Sequence, residues 1–230
     1  MHSWFFNSLI AMAAFGGMQA LYKVPAAKGY SKYAYSVVGS WVAAILSFIV
    51  FGNDISFDTR TMLLALIWGA AYAVLGILQM AILKRLDTSE SFPITSLGSH
   101  VLVVIIGILF FNDVLSGLQV VALAATFILI GFYNYTSKHI TLGNGLIPIA
   151  ASIILISTSI KFIQKSASVS SVTGNYIFWQ LFFAAVASVI ILLIAKQKRP
   201  AERKMDGKLI LWSTAIGAFT FIGTAAMVKA

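Results

Sequence analysis

Long apolar runs separated by short polar breaks take up most of this 230-residue chain. Each run is long enough to cross the hydrocarbon core of a bilayer. Because no water is present there to satisfy backbone N–H and C=O groups, each run is predicted to be a helix. The pattern therefore predicts an all-α fold, a polytopic membrane helix bundle. Its eight predicted spans lie at about 4–22, 32–51, 62–83, 92–111, 117–135, 145–163, 175–195 and 209–228.

Composition excludes an ordinary soluble domain. The hydrophobic share is 60% and the charged share is 10%, whereas soluble domains are typically about 25% charged. The net charge of +9 comes mainly from Lys and Arg at the ends of apolar runs, so a nucleic-acid partner is not expected. The chain has no cysteine, which excludes disulfides and cysteine nucleophiles. The lipid bilayer is the expected environment.

The distribution of basic residues predicts an orientation. Most of the 16 Lys and Arg residues lie in the first, third, fifth and seventh breaks between spans. The positive-inside rule places these odd-numbered loops in the cytoplasm and the N-terminus outside. The first apolar run has no Lys or Arg before it, so it is interpreted as a retained span rather than a signal peptide. We expect a multi-pass protein of the cell (inner or plasma) membrane.

An internal repeat is also indicated. Lys23 and Trp41 are 18 residues apart (41 − 23), as are Lys161 and Trp179 (179 − 161). The offset of 138 residues (161 − 23) corresponds to about five spans, so the two copies would be inverted relative to each other. Inverted repeats typically place a substrate site near the membrane midplane. The alternative is a chance coincidence of one Lys and one Trp.

The third to fifth spans carry a series of short motifs. They are Trp68-Gly69-Ala70-Ala71-Tyr72, residues 79–86 (QMAILKRL), residues 89–97 (SESFPITSL), residues 107–113 (GILFFND), and the run from Gln119 to Gly131.

These motifs resemble the EamA-type half of the drug/metabolite transporter superfamily. In that family a span ends in an Ala-Leu-Lys/Arg turn, and a Gly-x-x-x-Leu-Gly-Glu boundary leads into a final span that ends in Gly. Two positions depart from the family pattern: Asp113 stands where Glu is usual, and His100 lies near a frequent Pro.

The resemblance implies ten helices in two inverted five-helix repeats. Residues 1–137 would form the first repeat, and residues 138–230 an incomplete second repeat of three helices. The chain would thus be a C-terminally truncated fragment with eight of ten transmembrane helices. The implied activity is export or exchange of small metabolites or drug-like solutes by alternating access. A proton is a candidate coupling ion, and no cofactor, metal site or catalytic residue is expected.

The resemblance also places the central cavity among spans one, three, four and six. His100 is the sharpest candidate there because imidazole exchanges a proton near neutral pH; a helix–helix hydrogen bond is the structural alternative. Lys23 and Lys161 are candidate charges at the cavity mouth, although lysines at span ends commonly reach for headgroups. The polar candidates for substrate contact are Gln19, Tyr22, Tyr72, Gln79, Thr95, Ser96, Ser99, His100, Ser157 and Thr158.

Two other functions stay open. A non-transporting membrane scaffold or assembly protein would need no wet cavity. An intramembrane enzyme acting on lipid-linked substrates would need a convergent catalytic set. The sequence contains neither a His-Glu-x-x-His nor a Gly-x-Ser-x-Gly motif, so an enzyme is not expected.

Overall fold

The computed structural model describes residues 3–86, 91, 95, 98–111, 114–117, 119–121, 123–125, 127–128, 146–170, 172–198 and 207–229. Over these residues the fold is helical and contains no strand. The predicted all-α helical bundle is therefore confirmed. The helices are α1 (Ser3–Ala27), α2 (Lys32–Phe51), α3 (Thr59–Leu83), α4 (Gly98–Phe111), α5 (Ile147–Ser170), α6 (Thr173–Lys198) and α7 (Gly207–Lys229), with a 3₁₀ turn at Gly52–Asp54.

Five of these helices have the length and composition needed to cross a bilayer. They are α2, α3, α5, α6 and α7, with mean hydropathy between 1.6 and 2.6 over their apolar stretches. Helix α4 is apolar but shorter. Helix α1 is long enough at 25 residues and carries Asn7, Gln19 and Lys23, which make it more polar. Several apolar helices of this length are typical of a multi-pass membrane protein.

Local capping explains where the helices start. The Ser31 side chain accepts a hydrogen bond from the backbone N–H of Ala34 at the start of α2. The Asp58 carboxylate accepts one from Thr61 at the start of α3, at 2.9 Å. Such caps satisfy N–H groups that have no partner within the helix. After α1, Gly29 adopts a φ of +71°, a conformation that glycine tolerates without strain.

The order of helix contacts follows a regular scheme. Helix α1 packs on α7, and in the same way α5 packs on α3. Helix α2 also packs on α7, and in the same way α6 packs on α3. Helices α2 and α6 pack on each other, and the smaller contact of α2 with α3 matches that of α6 with α7. These pairs are preserved when α1 is exchanged with α5, α2 with α6 and α3 with α7. The contact of α1 with α3 departs from this scheme, and α4, which packs on α5, has no counterpart among the described helices.

Two glycine crossings show the same relationship at residue level. A Cβ on Gly69 of α3 would lie 2.8 Å from the carbonyl oxygen of Gln180 on α6. A Cβ on Gly217 of α7 would collide with the carbonyl oxygen of Gly39 on α2. Gly217 follows Gly69 by 148 residues (217 − 69), and Gln180 follows Gly39 by 141 (180 − 39). On α2 and α6 this register differs by three residues from the offset of 138 that relates Trp41 to Trp179. Helices approach this closely in membranes where small residues leave the backbone uncovered.

Candidate functional site

A small polar cavity lies among α1, α2, α3, α6 and α7. We call it the tyrosine cavity. Its volume of about 20 Å³ is room for about one water molecule, so a solute does not fit in this conformation. Its polar wall comprises Tyr22, Tyr35, Ser36, Ser40, Tyr72 and Thr220.

The tyrosines are held by contacts between helices. The rings of Tyr22 and Tyr35 meet edge to face, with centroids 5.2 Å apart. The Tyr72 hydroxyl donates to Oγ1 of Thr220 at 3.3 Å, and Oγ1 of Thr220 lies 3.2 Å from the sulfur of Met18. The ring of Trp68 stacks on Tyr72 at 4.7 Å. Side chains from α1, α3 and α7 therefore meet at this wall.

Serine hydroxyls link α2 to α6 beside the cavity. Oγ of Ser188 lies 3.2 Å from Oγ of both Ser36 and Ser40. It also donates to the carbonyl oxygen of Ala184 at 2.8 Å. A hydroxyl has one donor and two acceptor positions, so Ser188 can accept from both serines of α2. These bonds fix the two central helices against each other.

Several buried polar atoms near this core have no hydrogen-bond partner. The side chain of Gln180 is fully buried, and neither of its amide atoms is paired. The indole N–H of Trp68 is also unpaired, and the Tyr35 hydroxyl makes no hydrogen bond of regular geometry although Tyr22 is close. An unpaired buried polar group costs roughly 1–3 kcal/mol. Such groups are typical of sites where a ligand, a water molecule or a second conformation supplies the partner.

A second polar cluster joins α4 and α5. The ammonium of Lys161 donates to Oγ of Ser99 at 3.0 Å and lies 3.4 Å from both ring nitrogens of His100. Oγ1 of Thr158 donates to the carbonyl oxygen of Ile154 at 2.8 Å. Beside this cluster lies a cavity of about 390 Å³, lined by α4, by Val114, Leu115 and Gln119, and by α5. We call it the lysine groove.

The predicted site residues thus fall into separate places. Tyr22 and Tyr72 line the tyrosine cavity, whereas Ser99, His100, Thr158 and Lys161 come together between α4 and α5. Thr95 is buried and bonds the carbonyl oxygen of Ser91. Ser96 lies outside the described residues. Three further predicted site residues are half-buried and line neither cavity as described: Gln19, Gln79 and Ser157.

Lys23 makes a helix-end contact. Its ammonium donates to the carbonyl oxygens of Leu86 at 3.2 Å and Leu83 at 3.5 Å. These carbonyls lie at the C-terminal end of α3, where the helix dipole favours a cation. Lys23 therefore ties α1 to the end of α3.

The sequence prediction missed much of the tyrosine cavity. The predicted site comprises spans one, three, four and six, and so it leaves out the polar residues of α2, α6 and α7. A usable signal was present in α2, because hydroxyl residues four apart share one helix face. The missed wall residues are Tyr35, Ser36, Ser40 and Thr220, and Ser188 lies beside them in contact with Ser36.

Metal chemistry and known relatives add no further constraint. Within the described part of the chain, no group of three His, Cys, Asp or Glu residues could hold a metal ion. No protein-family model matches the chain, and no curated protein matches it. The function of the protein is therefore inferred from the geometry of the bundle and its two cavities.

Proposed function

We propose that the protein is a secondary active transporter that exports or exchanges small metabolites or drug-like solutes by alternating access. The observation that carries the proposal is the pair of equivalent glycine crossings, at Gly69 with Gln180 and at Gly217 with Gly39. They lie beside a small cavity with a hydroxyl-lined wall in an apolar bundle. A scaffold would need no such cavity.

The matched contacts support an architecture of two inverted repeats. On this proposal α1, α2 and α3 correspond to α5, α6 and α7, as in the EamA-type proteins that the motifs resemble. When two such halves exchange conformations, an inward-facing cavity becomes outward-facing. On this proposal the present structure is a state without room for the solute, because the tyrosine cavity measures about 20 Å³.

The chemistry of the cavity wall suits small polar or aromatic solutes. Its hydroxyls, on Tyr22, Tyr35 and Tyr72 among others, can donate and accept hydrogen bonds. The tyrosine rings offer apolar faces as well. The described wall contains no charged side chain. The solute would have to separate Tyr72 from Thr220 in order to enter.

A flux measurement tests the proposal without knowledge of the substrate. Proteoliposomes loaded with a cell metabolite extract would be followed by mass spectrometry of the released solutes. We expect the wild type to release a specific subset, and Ser40→Leu, which fills the cavity wall, to abolish that release. Ser159→Leu on the exposed face of α5 is the matched control and should behave as wild type. Release no greater than from protein-free liposomes would overturn the proposal and favour the scaffold.

A further inference from the structure

The lysine groove is a second cavity, separate from the tyrosine cavity. The two walls share no residue. At about 390 Å³ the groove falls within the size range of small-molecule sites. Most of its wall is apolar, with Val103 and Val104 on α4 and Phe162 on α5. Lys161 and Lys165, both on α5, supply two positive charges within this wall, and Lys161 is the one that contacts Ser99 and His100.

Among the described residues, the side chains that contact the Lys161 ammonium are neutral. Its ammonium contacts Ser99 and His100, and no described residue places a carboxylate beside it. The side chain is only partly exposed and lies within the apolar stretch Ile147–Ala167. Charged groups at such positions usually pair with an opposite charge or line a path for ions or substrates.

The hydrogen-bonding capacity of Lys161 leaves room for a ligand. An ammonium has three donors, of which Ser99 takes one and the His100 ring is placed to take another. The third donor can serve an anion in the groove. An apolar body attached to that anion would lie against Val104 and Phe162.

We infer that the lysine groove binds an oxyanion-headed amphiphile, with its headgroup on Lys161 and its apolar body against α4 and α5. The ligand could be a free carboxylate such as a fatty acid or the phosphate headgroup of a membrane lipid. Both offer an oxyanion to Lys161 and a chain to the apolar wall. An uncharged or cationic amphiphile leaves the ammonium without a counter-charge.

Photoaffinity labelling tests this inference in nanodiscs of zwitterionic lipid. The probe is octanoate carrying a diazirine, and the matched probe is its uncharged methyl amide. We expect the acid to label residues 103–107 and 158–165 at least roughly tenfold more than the amide, a difference of about 1.4 kcal/mol. Unlabelled octanoate should compete, and 1-octanol should not. Equal labelling by acid and amide would overturn the inference.

Variants separate charge from shape. Lys161→Gln should lose the labelling and Lys161→Arg should keep it. Lys84→Gln, at an exposed position after α3, removes one charge elsewhere and should label as wild type. Val104→Trp fills the groove while Lys161 stays, so it should also lose the labelling. Labelling that survives Lys161→Gln or Val104→Trp would overturn the inference; if Lys161→Gln does not fold, Val104→Trp decides.

Adding an anionic lipid to the nanodisc distinguishes the two possible sources of the ligand, a membrane lipid and a free carboxylate. If anionic phosphatidylglycerol in the nanodisc abolishes labelling by the acid probe, a lipid headgroup occupies the groove. If labelling persists, the ligand is a free carboxylate. Because the readout is occupancy rather than flux, this test can fail while the transport test succeeds.

Discussion

The hydroxyl of Tyr72 on α3 donates a hydrogen bond to Oγ1 of Thr220 on α7, at 3.3 Å. Thr220 follows Tyr72 by 148 residues (220 − 72), the same offset that relates Gly69 to Gly217. On the proposed inverted repeat, the two residues hold equivalent positions on α3 and α7, and they contact each other. Both residues line the tyrosine cavity, so we expect a conformation with a wider cavity to separate them.

A double-mutant cycle should detect this contact. Tyr72→Phe and Thr220→Val each remove a hydrogen-bonding group, and each should lower the free energy of unfolding by about 0.5–1.5 kcal/mol. Because both remove the same bond, the double variant should lose less than the two single losses together. Reversible unfolding in mixed micelles measures all four proteins. Tyr33→Phe, on a half-buried ring of α2 outside the described cavity wall, is the control; strict additivity would contradict the contact.

The glycine crossings should not tolerate a methyl group. A Cβ on Gly69 would lie 2.6 Å from the backbone nitrogen of Ala184, so Gly69→Ala forces α3 and α6 apart. Gly217→Ala does the same to α7 and α2. Each should cost roughly 1–3 kcal/mol by overpacking, which thermal unfolding in detergent would reveal.

Gly16 provides the matched control for those crossings. No atom lies within 4 Å of a Cβ built there, so Gly16→Ala should be neutral or stabilise α1 by about 0.5–1 kcal/mol. If Gly69→Ala and Gly217→Ala were as stable as Gly16→Ala, this would contradict the close approach of the helix backbones at Gly69 and Gly217.

The cap of α3 should make stability depend on pH. The Thr61 hydroxyl and backbone N–H donate to the Asp58 carboxylate and hold the pKa of that carboxyl below its ordinary value. A carboxyl with a lowered pKa stabilises the fold at pH above its unfolded-state pKa, and the contribution is lost as the pH falls through the folded-state pKa. Asp58→Asn keeps a good N-cap residue without the charge. The wild type should therefore exceed Asp58→Asn in thermal stability at neutral pH and lose that advantage in acid; a constant difference across this range would contradict the cap.

The loop before α3 should depend on Asn175. Its side-chain amide exchanges two hydrogen bonds with Ser56, each at 2.9 Å, and Trp179 donates to the carbonyl oxygen of Ser56 at 3.0 Å. Asn175→Ala leaves the Ser56 N–H without this partner and should cost about 1–3 kcal/mol. Asn53→Ala, at an exposed position of the same loop, should cost little. Equal unfolding midpoints for the two variants would show that the loop is held by other contacts.

Much of the fold could be predicted from hydropathy because each helix in lipid must be apolar and long. The predicted span at 32–51 coincides with α2 (Lys32–Phe51). The span predicted at 145–163 is shorter than α5 (Ile147–Ser170), because hydropathy marks the membrane and not the end of a helix. Polar residues such as Gln164 and Ser166 continue this helix, and Ser166 bonds the carbonyl oxygen of Phe162.

The candidate site was harder to predict, because spacing along one helix does not say which helices meet. Ser99, His100 and Lys161 were each candidates, but only the structure brings them into one cluster. No sequence motif marks Thr220 as a site residue. It enters the tyrosine cavity because α7 crosses α2 at Gly217, a contact between residues far apart in sequence. The inverted repeat itself stays a prediction, and the matched crossings support it.

Alternating access is tested most directly by the accessibility of one cysteine from both sides of the membrane. The chain contains no cysteine, so Ser40→Cys, in the wall of the tyrosine cavity, would be the only reactive thiol. Right-side-out and inside-out vesicles are treated with a membrane-impermeant maleimide, with Lys84→Cys on an exposed loop as a one-sided control. We expect Ser40→Cys to be labelled in both kinds of vesicle. Protection in both kinds, or labelling in one kind only, would contradict alternating access at this cavity.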